Sequence, residues 1–175
     1  MTLDKHTDYT NTPEDILKMK ASYFVDLVIS VSKKYIDELL ATTPSFENLD
    51  KSTDEIYKII EPIVSSFMLF KVGDYISRRF IKDSNVSVAF LNYMIANFRT
   101  ETGYDPIPLI NQYRDNAENN NYMRQMFIGD KVCKACGGTF SNRGFIDEIS
   151  IKFMTFFDTF IIPSIGHVWV ISGGL

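Results

Sequence analysis

Most of this chain repeats apolar residues at three- and four-residue spacing, the period of a helix that buries one face. Two of these stretches begin with helix-start signals. In Thr12-Pro13-Glu14-Asp15, threonine can cap free N–H groups, proline suits the first helical position, and the acids favour the positive end of the helix dipole. Ser52-Thr53-Asp54-Glu55 matches a capping box. The sequence therefore predicts helices from residue 13 to about residue 41 and from residue 53 onward, the second kinked or divided by Pro62 near Ile59.

The remaining segments predict further helices around one buried segment. Residues 86–98 contain ten apolar residues and no charge, so we expect a helix buried on all sides at the centre of the fold. Asp105-Pro106 predicts another helix start. A stripe from Ile146 to Phe160 predicts a helix that Pro163 ends, followed at residues 168–171 by a short extended segment. Residues 129–144 contain four glycines and predict a loop.

Together these patterns predict an all-α, single-domain bundle of about five to six helices. The length of 175 residues suits one domain with its own core. Residues 1–11 are polar and predict a loose N-terminal tail, and residues 12–175 form the predicted helical domain.

The charge pattern does not indicate a nucleic-acid partner, and the N-terminus and cysteine content do not indicate a secreted protein. The net charge is −4, and the best basic cluster, Arg78-Arg79 with Lys82, is flanked by acids and predicts a solvated helix face. The N-terminus has no apolar segment typical of a secretory signal, and two cysteines without such a signal favour a reducing, cytoplasmic location.

The C-terminal stretch is uncharged from Thr159 to Leu175, which raises the alternative of a membrane anchor. Pro163, Gly166 and His167 interrupt its apolar run. We therefore expect a segment buried in the protein, in which His167 is an ordinary buried imidazole, and keep the membrane anchor as the minor alternative.

Cys133-Lys134-Ala135-Cys136-Gly137-Gly138 resembles one knuckle of a zinc ribbon, in which two thiolates grip one edge of a tetrahedral zinc site. A closed site needs two further ligands, either His6 and His167 or two cysteines of a second copy across a dimer axis. A redox pair is the other alternative, but a predicted helix precedes this motif, whereas thioredoxin-like motifs begin one. Ordinary reduced thiols are the favoured interpretation, with zinc at Cys133 and Cys136 as the alternative.

Sequence motifs of hydrolases, phosphate-binding loops and zinc proteases are absent, and the phenylalanine stripes predict core packing. We therefore expect a small, acidic, non-enzymatic module that binds another protein, as inhibitors, antitoxins and immunity proteins do. Acidic side chains around the first connector would attract a basic partner: Asp37, Glu38, Glu47, Asp50, Asp54 and Glu55. The alternatives are a zinc- or thiol-based regulator and a helical binder of an apolar small molecule. A homodimer is compatible with each.

Overall fold

The computed structural model describes residues 12–47, 49–119, 125–138 and 142–171, with backbone alone for 117–119 and 171. Its elements are α1 (Pro13–Thr42), a 3-10 turn (Pro44–Phe46), α2 (Thr53–Arg79), α3 (Ser84–Thr102), α4 (Ile107–Asn119), α5 (Phe127–Ala135), α6 (Arg143–Phe156), a π turn (Phe157–Ile161) and α7 (Ile162–Ile171). These residues contain no strand, and the predicted all-α bundle is confirmed. The predicted N-terminal tail lies outside the described residues.

The first two helices begin at the predicted caps. The Thr12 hydroxyl accepts a hydrogen bond from the Asp15 N–H at 3.2 Å, and the Asp15 carboxylate accepts one from the Thr12 N–H at 3.1 Å. Ser52 and Glu55 form the same reciprocal pair at 3.3 and 2.8 Å. Pro62 lies inside α2 without dividing it.

The centre of the bundle is α2 rather than residues 86–98. α2 packs against α1, α3, α4 and α5, and its Phe67 ring lies 5.1 Å from Phe153 and 5.6 Å from Phe127. Eleven α2 residues are buried, against three in α3. The predicted helix at 86–98 exists, but the expectation that it is buried on every side is wrong, because Val88 is 58% exposed. α3 therefore carries more apolar residues than its contact with the core requires.

The predicted loop at residues 129–144 is also corrected, because α5 covers its first part. Gly129 lies where α5 crosses α6, and a Cβ there would collide with the Ile146 carbonyl oxygen and the Ser150 hydroxyl. The Gly129 N–H donates a hydrogen bond to that hydroxyl at 3.2 Å. This glycine therefore permits a close helix crossing and does not mark a loop.

The last helix continues through Pro163, contrary to the predicted end there and to the predicted extended segment. The Ile162 N–H donates to the Phe157 carbonyl, a five-residue step typical of a π turn, immediately before Pro163, which has no N–H. Ile161, Ile165 and Trp169 then continue the buried stripe at four-residue spacing. Packing against the bundle therefore maintains helix where the local sequence predicts a stop.

Candidate functional site

The Cys133–Gly138 segment forms the C-terminal cap of α5. The Gly138 N–H donates to the Cys133 carbonyl at 2.9 Å, and the Gly137 N–H donates to the Lys134 carbonyl at 3.1 Å. Gly137 has a φ of 92°, a left-handed conformation that favours glycine. These bonds define a Schellman motif. The two glycines after Cys136, which in the sequence suggest the turn of a zinc knuckle, are therefore explained by the end of α5.

Both cysteine side chains are buried, and neither forms a disulfide. Burial raises the pKa of the Cys136 thiol to about 11, with the Cys133 sulfur adding to this effect, and burial also raises the pKa of Cys133. The thiolate is the nucleophile in redox chemistry, and redox pairs lower this pKa at a helix N-terminus. Cys133 and Cys136 instead lie at a helix C-terminus, so their surroundings favour ordinary thiols.

In the described part of the chain, no third metal ligand lies beside Cys133 and Cys136. There, no three His, Cys, Asp or Glu side chains come together in a group suited to a metal ion. His167 lies exposed on α7, which corrects the expectation of a buried imidazole, and His6 lies outside the described residues. A zinc site shared with a second copy stays a prediction.

Asp130, one turn before Lys134 on α5, is a buried carboxylate that sequence motifs do not identify. Its Oδ2 accepts a charged hydrogen bond from the Lys134 amine at 2.9 Å, while its Oδ1 has no hydrogen-bond partner among the described residues. Its side chain is 5% exposed. Its charge raises the pKa of the neighbouring Cys133, which further disfavours a thiolate there.

Lys20 is a second buried charge, located on α1 beneath the last helix. Its residue exposure is 0%, and its Nζ lies 3.4 Å from the Trp169 carbonyl oxygen and 4.4 Å from the centroid of that indole. Burial lowers the pKa of Lys20. A cation beside a carbonyl in the last turn of α7 is favourably placed for the helix dipole. Lys20 therefore fixes α7 to α1, and a catalytic role is not needed to explain its burial.

The six predicted partner-binding acids are all exposed at one end of the bundle, here called the acidic end (Asp37, Glu38, Glu47, Asp50, Asp54 and Glu55). Residues 37–61 carry seven acidic and two basic side chains. The ion pairs formed between described residues include none of the six. Glu55 has a structural task, because its hydrogen bonds from Ser52 lower its pKa and stabilise the start of α2.

An apolar ridge formed by α6 and the π turn after it lies beside the acidic end and was not predicted from the sequence. Ile151 is 60% exposed, Met154 39% and Phe160 48%. A cleft of about 160 Å³ separates this ridge from α1 and is lined in part by Glu38, Thr42, Ile151 and Phe160. A second cleft on the other side of Ile151 and Met154 has a volume of about 490 Å³. We call the ridge and the Glu38 side of the first cleft the α1–α6 surface.

Lys152 holds the two helices of this surface together. Its amine donates to the Thr42 carbonyl at 2.6 Å, to the Thr43 hydroxyl at 3.0 Å and to the Glu148 carboxylate at 2.8 Å. α1 has no basic residue in its own last turn, so a lysine from α6 supplies the cation at its C-terminus. This cap fixes Glu38 on α1 relative to Ile151 on α6.

α6, the π turn and α7 form one continuous helical run, Arg143–Val170. In the described ranges, this is the one run whose length and apolar composition would allow it to cross a membrane. Within its most apolar window, 39% of the residues are buried in the protein. Core helices of soluble proteins meet the same criteria, so this property does not distinguish an anchor from a core helix.

Comparisons with protein-family models, with curated proteins and with solved structures find no match to this chain. The chemistry of these surfaces is therefore the evidence from which function can be inferred.

Proposed function

We propose that this protein is a non-catalytic module that binds another protein through the α1–α6 surface, with the acidic end attracting a basic region of that partner. It would act by occupying the partner's surface, as inhibitors and immunity-type proteins do. The observation that carries the proposal is the exposed ridge of Ile151, Met154 and Phe160 beside carboxylates without ion-pair partners among the described residues.

This arrangement supports protein binding because stable interfaces combine an apolar, aromatic centre with a polar rim. Ile151 and Phe160 would supply the centre, and Glu38 lies at its edge in the shared cleft. The remaining carboxylates of the acidic end would act over longer distances by steering a basic partner toward the surface.

The test is affinity capture from the native cell, with the captured proteins quantified by mass spectrometry. Ile151→Ser should reduce recovery of the specific partner at least about tenfold, because it removes an apolar contact at the centre of the surface. Val170→Ser is the matched control, since Val170 is 75% exposed but lies on α7, outside the α1–α6 surface. Equal recovery with both variants would contradict the proposal.

Charge reversal separates the role of the acidic end. The double variant Asp37→Lys, Glu38→Lys should lose the same partner, whereas Asp26→Lys, Glu101→Lys alters two exposed acids elsewhere and should retain it. If both double variants lose the partner equally, overall charge rather than the acidic end governs binding.

A further inference from the structure

A cavity of about 300 Å³ lies between α2, α3 and α4, away from the α1–α6 surface. Its walls are mainly apolar, with Leu69 and Phe70 from α2, Leu91 and Ile95 from α3, and Ile110 from α4. This volume equals that of about ten water molecules in the liquid, which is the size of a small organic molecule.

The cavity explains why α3 is apolar beyond its buried face. Phe90 and Phe98 face the core, Met94 is buried between the core and the cavity, and Val88 and Leu91 line the cavity without being buried in the core. α2 and α3 approach closely beside the cavity, at Gly73. A Cβ on this glycine would lie only 2.6 Å from Leu91 Cδ2, so glycine permits the approach. An apolar wall that the core does not cover is typical of a ligand site.

Two polar groups give this apolar cavity a chemical preference. Arg114 at its edge is exposed, its guanidinium carbon lies 5.9 Å from the centroid of the lining Phe70 ring, and it joins none of the ion pairs among described residues. The other lining charge, Asp74, is paired with Arg78 at 2.9 Å. The local excess charge is therefore positive.

Ser77 supplies the second polar group. Its hydroxyl oxygen is buried and has no hydrogen-bond partner in the described part of the structure, and Ser77 itself lines the cavity. A buried, unsatisfied hydroxyl is unfavourable, and rotation of the Ser77 side chain toward the cavity would let this hydroxyl donate to an oxygen of a bound ligand.

We propose that this cavity binds a small amphipathic anion, a carboxylate with an alkyl chain of about eight carbons. The chain lies against Phe70, Leu91 and Ile95, and the carboxylate pairs with Arg114. The site shares no residue with the α1–α6 surface, so it is a second function of the same bundle.

The test is titration of the intact protein with octanoate and, separately, with octanol, followed by calorimetry and by backbone amide chemical shifts. Octanoate should bind saturably with a Kd below about 1 mM and shift amides of α2, α3 and α4. Arg114→Gln should weaken octanoate about tenfold but change octanol less than about twofold, because the alcohol carries no charge. Arg79→Gln, which alters an exposed arginine outside the cavity lining, should leave both affinities unchanged.

A blocking variant tests the location independently of charge. Val88→Trp places an indole at the exposed edge of the cavity, and it should weaken octanoate and octanol alike by at least about tenfold. Failure of wild-type protein to bind octanoate up to about 5 mM would overturn the proposal. Equal octanoate binding by wild type and Arg114→Gln, or by wild type and Val88→Trp, would overturn it as well.

Discussion

At the scale of single residues, two buried charges occupy positions that the helical period assigns to apolar side chains. Lys20 follows Leu17 at three-residue spacing and precedes Phe24 by four, and Asp130 follows Phe127 by three. A charge on an apolar stripe is the sequence signal that could have identified both. The partner of Asp130 is local, because Lys134 lies four residues further along the same helix. The partner of Lys20 could not be predicted, because Trp169 lies far along the chain and reaches Lys20 only through tertiary packing.

Lys20→Ala should lower the free energy of unfolding by about 3 kcal/mol, because it removes a buried four-carbon stem and the cation beside the last turn of α7. Lys18→Ala is the matched change two residues away, where the amine forms an exposed pair with Glu14. Lys18→Ala should leave the free energy of unfolding nearly unchanged. Urea unfolding of both variants measures the difference, and equal losses would contradict the assigned role of Lys20.

The Cys136 thiol should make stability depend on alkaline pH. Its pKa is about 11 in the folded protein and 9.0 when unperturbed, so the unfolded chain loses this proton first as the pH rises. The contribution is present below pH 9.0 and is lost as the pH approaches 11. Between pH 8.5 and 10.5, Cys136→Ala should therefore lose about 2 kcal/mol less stability than wild type. Parallel stability curves for the two proteins would show that the thiol does not have this raised pKa.

At the scale of elements, the sequence correctly predicted the features that residues close together in the chain determine, such as helix starts. Thr12 with Asp15 and Ser52 with Glu55 form their caps within one turn, so their positions could be read directly from the chain. Gly129 and Pro163 gave misleading local signals, since each lies in a helix supported by contacts with the bundle. The apolar ridge was missed because periodicity identifies the apolar face of a helix but does not reveal which apolar residues stay uncovered.

Alanine should be harmful at Gly129, where α5 crosses α6, and tolerated at Gly166, which lies in open space on α7. Gly129→Ala should destabilise the protein by at least about 2 kcal/mol, because the new methyl group collides with α6 backbone. At Gly166 in α7, a Cβ meets no atom within 4 Å. Gly166→Ala should therefore be neutral or stabilising by up to about 1 kcal/mol. Thermal unfolding compares the two, and a tolerated alanine at position 129 would contradict the crossing.

At the scale of the whole molecule, the bundle carries two chemically distinct regions. The α1–α6 surface combines exposed apolar groups with carboxylates, and the cavity between α2, α3 and α4 combines apolar walls with an arginine. The six acidic residues were proposed from the sequence as partner-binding, and the structure shows that they are exposed at one end of the bundle. The ridge beside them depends on how α6 packs against α1, which no local pattern encodes.

The central claim is that the apolar ridge holds a protein partner that the acidic end attracts. The most direct measurement is the association and dissociation kinetics of the captured partner with wild type, Ile151→Ser and Glu38→Lys at several salt concentrations. We expect Ile151→Ser to accelerate dissociation at least about tenfold, and Glu38→Lys to slow association, with the difference from wild type shrinking as salt rises. Unchanged rate constants in both variants would contradict the account.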